Sequence, residues 1–168
     1  FDYPDLLDRP AAEVLPRLRA LGGTGRAVWA LYAVIPLLLI PTGRGVDAAV
    51  RHAVPRLGRL AVWLATLSAI AMVIGLARWP TLQWSLAESW NAASGAERDA
   101  MTTTFDRANL YLGNVIGEFA GELFLNGFFL VATLALAAVR PRRWLLIAGI
   151  VSSALGFVFA MLLWRGAG

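Results

Sequence analysis

Cysteine is absent from this chain of 168 residues, and histidine occurs once, as His52. Without thiols the protein has no disulfide framework, no thiolate metal site and no cysteine nucleophile. One imidazole does not by itself form a histidine-based metal site or a bis-histidine haem site. Ser-His-Asp sets, phosphate-binding loops and dinucleotide-binding fingerprints are missing as well. We therefore expect no metal, no cofactor and no enzymatic activity, unless carboxylates alone perform a reaction.

Charged residues are also scarce, at 15% of the chain against 58% hydrophobic residues. A typical soluble domain has about 25% charged residues, so the composition predicts a single integral membrane domain over residues 1–168. Lysine is absent, so all 15 basic residues are arginine. They lie between apolar segments, as charges that set membrane topology do, and they form no single patch. Nucleic acid is therefore not an expected partner.

Long apolar segments predict an all-α fold, a polytopic transmembrane helical bundle with four spans and short interfacial amphipathic helices. The predicted spans are residues 24–43, 60–79, 108–139 and 144–164. Around them we predict an outer interfacial segment at 1–23, a basic amphipathic cytoplasmic segment at 44–59 and an outer loop at 80–107. Tryptophans near the ends of these spans predict aromatic anchors at both membrane faces: Trp29, Trp79, Trp84, Trp90, Trp144 and Trp164.

Arginines are concentrated in the two short segments that connect the first span to the second and the third span to the fourth. These are Arg44, Arg51, Arg56 and Arg59, followed by Arg140, Arg142 and Arg143. Under the positive-inside rule we expect both segments on the cytoplasmic side, where they would meet the anionic headgroups of the lipid bilayer. The expected location is the plasma membrane of a bacterium.

The most informative pattern is a polar stripe on the third predicted span. Its members recur every four positions: Asn114, Glu118, Glu122 and Asn126. A spacing of four advances an α-helix by about 400°, so these residues share one face of a helix. Ionisable residues inside a membrane segment usually face a partner, a cavity or water, which makes the two glutamates functional candidates.

Glycines accompany this stripe at Gly113, Gly117 and Gly121. Such a series permits close packing between membrane helices, which is the simpler interpretation. The alternative is a small cavity in which Tyr111 and Arg78 join the stripe to bind a ligand or an ion. Because Arg78 ends the second predicted span at a similar depth, we expect an ion pair between Arg78 and Glu118 or Glu122.

Three short motifs occur in a recognisable order: Phe1-Asp2-Tyr3-Pro4, then Gly75-Leu76-Ala77-Arg78-Trp79-Pro80, then Tyr111-Leu112-Gly113 with Gly117-Glu118. Together they resemble an uncharacterised bacterial family of polytopic membrane proteins of unknown function. The resemblance covers most of the chain and implies a multi-span topology rather than an activity. It further implies a membrane helix before Phe1 and a histidine after the Gly-Glu pair. This chain has Phe119 there, which argues against acid-histidine chemistry.

We therefore expect a membrane protein that binds a small ligand, a lipid or a partner subunit without catalysis, at the outer end of its helix bundle. Two alternatives stay open. In a cation- or proton-coupled transport component, a water-connected route would continue inward past Asn126. In a structural accessory subunit of a larger complex, another chain or a second copy would cover the glycine face or an exposed apolar face.

Overall fold

The computed structural model describes residues 9–166, with side chains to residue 162, and this part of the chain is helical without a β-strand. Its α-helices are α1 Ala11–Ala20, α2 Gly22–Val34, α3 Leu39–Val50, α4 Pro55–Ala77, α5 Trp84–Ser89, α6 Gly95–Ala108, α7 Gly121–Val139 and α8 Arg143–Gly166. A 3₁₀ turn, Ile35–Leu38, joins α2 to α3, and π-helical segments, Trp79–Gln83 and Asn109–Ala120, join α4 to α5 and α6 to α7. The Phe-Asp-Tyr-Pro motif and the side chain of Trp164 lie outside the described residues.

Four continuous helices in the described part are long and apolar enough to cross a membrane: Gly22–Val50, Pro55–Ser89, Gly95–Val139 and Arg143–Leu162. They confirm the predicted all-α transmembrane bundle. Small residues lie inside it and large apolar residues lie outside. Ala61 and Ala65 are fully buried, whereas Leu31, Trp63 and Leu155 each expose 66% of their surface. Large apolar side chains can face outward because lipid tails are as apolar as they are.

Residues 44–59 do not form the separate amphipathic segment that the sequence predicts. Helix α3 continues from the first span to Val50, the chain turns, and α4 begins at Pro55. The two helices approach closely because Gly43 and Gly58 each lie against the partner helix. Part of the apolar face of residues 44–59 therefore packs inside the bundle, with Val50 only 1% exposed beside Gly58.

Residues 80–107 are more regular than the predicted loop. Pro80 lacks the N–H group of an α-helical hydrogen bond, yet the helix continues because the chain widens into a π-helical turn. In this turn the N–H of Gln83 donates to the carbonyl of Arg78 at 2.8 Å. Helix α6 then begins after Ser94, which forms a capping box with Glu97. Much of the predicted loop is therefore a helical extension of the adjoining spans.

Helices α1, α5 and α6 form a cap over one end of the bundle, which we call the Arg78 end. The core beneath it consists of Ala11, Val14, Leu15, Leu18, Trp29, Trp79, Trp84, Ala87, Trp90 and Phe105. These four tryptophans are at most 7% exposed, so they are core residues and not the predicted membrane-surface anchors. They are buried because α1 packs its apolar face on them. The chain enters α2 at Gly22, whose φ of 61° is a conformation that suits glycine.

Candidate functional site

A long π-helical segment, Asn109–Ala120, contains Tyr111, Asn114 and Glu118, three of the six predicted ligand-binding residues. Its i→i+5 hydrogen bonds widen the helical turn, and π-helices usually occur as single-turn bulges, often at functional sites. In a turn of this width, residues five apart share one face of the helix. Asn109 and Asn114 accordingly line the same cavity. The four-residue spacing of the polar stripe does not reveal Asn109, although its spacing of five from Asn114 is visible in the sequence.

Arg78 lies at the end of α4 with only 7% of its surface exposed. Its Nε donates to Oδ1 of Asn109 at 3.1 Å, and its Nη1 donates to the carbonyl of Gly75 at 2.5 Å. The Cζ of Arg78 also lies 5.1 Å from the centre of the Trp79 ring. Gly113 lies directly against the guanidinium, because a β-carbon there would be 2.7 Å from Cζ. The absence of a side chain at Gly113 therefore makes the room that the buried arginine occupies.

A second buried amide holds Asn109 in place. Nε2 of Gln83 donates to Oδ1 of Asn109 at 2.6 Å, so this oxygen accepts hydrogen bonds from both Gln83 and Arg78. Gln83 is fully buried, and its Oε1 is the one fully buried side-chain oxygen or nitrogen in the described residues without a hydrogen-bond partner. Neither Gln83 nor Asn109 is distinguished in the sequence, because each becomes part of a buried polar group only after the cap covers it.

The glycine series of the third span faces α4 of the same chain. Gly117 lies against Gly75, since a β-carbon on Gly117 would be 2.8 Å from the Cα of Gly75. Gly121 contacts the side chain of Met72, and its carbonyl accepts a hydrogen bond of 2.9 Å from the hydroxyl of Ser68. Small residues permit such close approach between membrane helices. This face of the third span therefore packs against α4 within the chain.

Two cavities lie on either side of Arg78 and Glu118, which line both of them. The cap cavity, of about 400 Å³, lies between the start of α1, helix α6 and the π-helical segment. Its charged and amide side chains are Arg9, Arg78, Asp106, Asn109, Asn114 and Glu118. The span cavity, of about 250 Å³, lies between α2, α4 and the same segment, and its lining includes Trp29, Tyr32, Gly117, Glu118 and Glu122.

The structure places the predicted ligand-binding residues at three different positions. Those that line the two cavities are Arg78, Asn114, Glu118 and Glu122. Tyr111 lies outside both linings and is 59% exposed. Asn126 lies deeper in the bundle at 5% exposure, and its Nδ2 donates to the carbonyl of Glu122 at 2.8 Å. The polar stripe is thus divided between the cavity walls and the helix contacts beneath them.

The cap cavity combines charges of both signs in one space. Arg9 and Arg78 provide guanidinium groups, and Asp106 and Glu118 provide carboxylates. Arg9 lies at the exposed mouth and pairs with Glu13 at 3.1 Å, whereas Arg78 belongs to the buried floor. The cavity therefore offers hydrogen-bond donors to an acid group and acceptors to an amine. In the part of the chain that the structure describes, no three His, Asp or Glu side chains come together as a metal site would require.

Residues 3–166 match a family model described as a domain of unknown function, DUF4386. The match spans nearly the whole chain and confirms the resemblance to a family whose function is unknown. Comparison with curated proteins and with solved structures finds no match. The chemistry of the site therefore rests on its own geometry.

Proposed function

The chain belongs to the DUF4386 family, a domain of unknown function, and we propose that this membrane protein binds a small zwitterionic solute in the cap cavity. The observation that supports the proposal is that the described residues place two guanidinium and two carboxylate groups around a space of about 400 Å³. This volume is within the range of about 300–1,000 Å³ that is typical of small-molecule sites. A solute with an acid group and an amine would find a partner for each.

A solute of a single charge sign fits this cavity less well. An anion would be attracted to Arg9 and Arg78 but repelled by the carboxylates of Asp106 and Glu118. A cation would be attracted to the two carboxylates but repelled by the two guanidinium groups. The guanidinium of Arg78 is already oriented by its bond to Asn109, which lowers the cost of ordering it when a solute binds. We expect the acid group of the solute at Arg78 and its amine at Glu118 or Asp106.

We propose binding without chemical conversion. Among the described residues that line the cap cavity, Thr102 is the only one with a hydroxyl group, and none is a histidine that could activate it. A weak nucleophile of this kind needs an adjacent base before it can attack a substrate. The expected role is therefore recognition or uptake of the solute, with its covalent structure unchanged.

The short arginine-rich connections support an orientation in the membrane. The connection between α3 and α4 and the connection between α7 and α8 both lie at the end of the bundle opposite the cap. Under the positive-inside rule this end would face the cytoplasm of a bacterium, and the cap cavity would open on the outer side of the plasma membrane. The solute would then be an extracellular one.

Binding can be measured on the purified full chain in detergent, by thermal shift and by calorimetric titration with the standard amino acids as probes. For the amino acid that binds best, we expect the analogue without the amine and the analogue without the carboxylate to bind about tenfold more weakly or worse, because each loses charge-assisted hydrogen bonds of about 1.5–3 kcal/mol. For leucine these analogues are 4-methylpentanoate and isopentylamine. Equal binding by either analogue, or no binding by any amino acid, would contradict the proposal.

Two variants test whether the solute binds in the cap cavity. Arg78→Lys removes the planar fork and is expected to weaken binding about tenfold or more. Arg107→Lys is its control, since Arg107 is exposed nearby on α6 but lies outside the cavity lining. Arg78→Lys also removes the hydrogen bond to Asn109 and so alters the buried floor of the cavity. A second variant, Asp106→Asn, changes a lining residue at the exposed mouth and leaves this floor intact. If both variants bind like the Arg107→Lys control, the solute does not occupy the cap cavity.

Transport is a second candidate, supported by polar side chains that continue from Glu122 along the contact between α7 and α8. Asn126 lies against α8. Ser153 of α8, 1% exposed, donates to the carbonyl of Gly149 at 2.8 Å. Thr133 contacts Gly149 and lines a cavity at the opposite end of the bundle. Buried polar groups in membrane helices often belong to proton or ion pathways, and this line would connect the two ends.

Ser153→Ala tests the transport candidate. We expect it to slow proton entry into proteoliposomes about fivefold, the equivalent of one lost hydrogen bond of about 1 kcal/mol. Ser152→Ala is the matched control, because Ser152 is the adjacent residue but is exposed on the outside of α8. A pH-sensitive dye inside the vesicles reports the rate. A rate no higher than that of protein-free vesicles, or the same loss in both variants, argues against transport through this contact.

A further inference from the structure

A third cavity, of about 450 Å³, lies at the end of the bundle opposite the cap, between the end of α7 and the start of α8. We call it the hairpin cavity, and its lining includes Leu136, Ala137, Arg140, Arg142, Leu145 and Gly149. Among the described residues, it shares no lining residue with the cap cavity or the span cavity. Its properties are therefore independent of the proposed solute site.

The hairpin cavity follows from the geometry of the connection between the two helices. At its inner end Gly149 lies against the side chain of Thr133, so α7 and α8 touch there. Towards the connection, α7 ends at Val139 and the backbone of Arg140 leaves the helical conformation, with φ −135° and ψ 83°. Helix α8 begins only at Arg143. The space between these points forms a wedge that is closed towards the middle of the bundle and open at the arginines.

The rim and the walls of the hairpin cavity differ in polarity. At the rim, Arg140 and Arg142 are exposed and provide two guanidinium groups. Neither forms an ion pair among the described residues, and residues 123–166 contain no aspartate or glutamate. The walls are mainly apolar, and Leu136 and Leu145 remain 43% and 45% exposed. In the part of the chain that the structure describes, the cavity thus combines a cationic rim without ion pairs and an exposed apolar surface.

We propose that the hairpin cavity binds one anionic glycerophospholipid, with its phosphate at Arg140 and Arg142 and an acyl chain along Leu136 and Leu145. Arginine donates paired hydrogen bonds to phosphate oxygens, and basic pockets between transmembrane helices suit the headgroups of acidic lipids. The nearby start of α8 adds the partial positive charge of a helix N-terminus. A soluble phosphate would use the rim alone and leave the leucines uncovered, so the apolar walls favour a lipid.

Native mass spectrometry of the full chain in detergent, titrated with phosphatidylglycerol, measures this binding directly. Arg142→Gln is expected to weaken it about tenfold, because the amide cannot replace the paired charge-assisted hydrogen bonds that the guanidinium donates to the phosphate. Arg143→Gln makes the same change at the adjacent residue, which is outside the cavity lining, and is expected to leave binding within about twofold of wild type. Ala137→Phe keeps both rim arginines but fills the wedge, and we expect it to abolish tight binding of one lipid.

Four results would overturn the lipid site. Equal losses in Arg142→Gln and Arg143→Gln would mean that surface charge, and not the cavity, attracts the lipid. Phosphatidylcholine that binds as tightly as phosphatidylglycerol would mean that the headgroup charge is not recognised. If glycerol 3-phosphate binds as tightly as the lipid, the acyl chain does not occupy the wedge. The same conclusion follows if Ala137→Phe leaves lipid binding unchanged. Asp106→Asn at the cap cavity is expected to leave lipid binding unchanged, which separates this site from the solute site.

Discussion

Replacement of Trp79 by alanine is expected to lower the free energy of unfolding by about 3–5 kcal/mol. Trp79 is 1% exposed and stacks on Trp29 with the ring centres 5.0 Å apart. It also covers the guanidinium of Arg78, whose Cζ lies 5.1 Å from the ring centre. Removing the indole leaves a cavity in the core beneath the cap. Titration of the purified protein with sodium dodecyl sulfate, followed by far-ultraviolet circular dichroism, measures the loss.

The control for this variant is Trp63→Ala. Trp63 is 66% exposed on the outer surface of α4, so its removal is expected to change the free energy of unfolding by no more than about 0.5 kcal/mol. The comparison separates the loss of a buried ring from the loss of any tryptophan. If the two variants lose the same stability, the tryptophans at the Arg78 end do not form a core, and the description of the cap is incorrect.

Replacement of Gly117 by alanine is expected to destabilise the protein by about 1–3 kcal/mol, although it adds only one methyl group. The new β-carbon would lie 2.8 Å from the Cα of Gly75. That neighbour is backbone, so it cannot rotate aside as a side chain can, and the two spans must move apart. The same movement would disturb the span cavity, which Gly117 lines. The unfolding assay used for Trp79 measures the change.

Gly127→Ala is a control on the same continuous helix, for which we expect no loss of stability. A β-carbon at Gly127 would lie 3.5 Å from the side chain of Leu64, which is ordinary contact. Alanine favours a helix over glycine by about 1 kcal/mol, so this variant is expected to be neutral or more stable than the wild type. If Gly117→Ala also stabilises the protein, the close contact between Gly117 and Gly75 does not hold in solution.

The spans and the polar stripe could be predicted because both depend on local sequence. The apolar lengths that identify the four spans need no knowledge of tertiary contacts. Similarly, the spacing of Glu118 and Glu122 identifies a polar segment of the third span that lines the cavities. The glycine spacing identifies the face of this span that lies against another helix. In each case, residues close in sequence contain the information.

Other parts of the site could not be predicted because they depend on contacts between distant residues. The tryptophans have the positions of membrane-surface anchors, and only the packing of α1 on α5 and α6 makes them a core. Gln83 and Asn109 are separated by 26 positions and meet only in the folded chain. The extent of the π-helical segment is likewise not visible in hydropathy, since that pattern reports polarity and not which backbone carbonyl accepts each hydrogen bond.

The sequence by itself determined that this is an all-α membrane protein with four spans, a polar stripe, a glycine series and two arginine-rich connections. The tertiary structure decided which of these features meet. It placed Gly113 against the buried Arg78, brought Arg78 and Glu118 to the shared wall of two cavities, and opened a third cavity between α7 and α8. The physical reason is that transfer of a segment into a membrane depends on its own polarity, whereas a cavity depends on the distance between helices that are far apart in sequence.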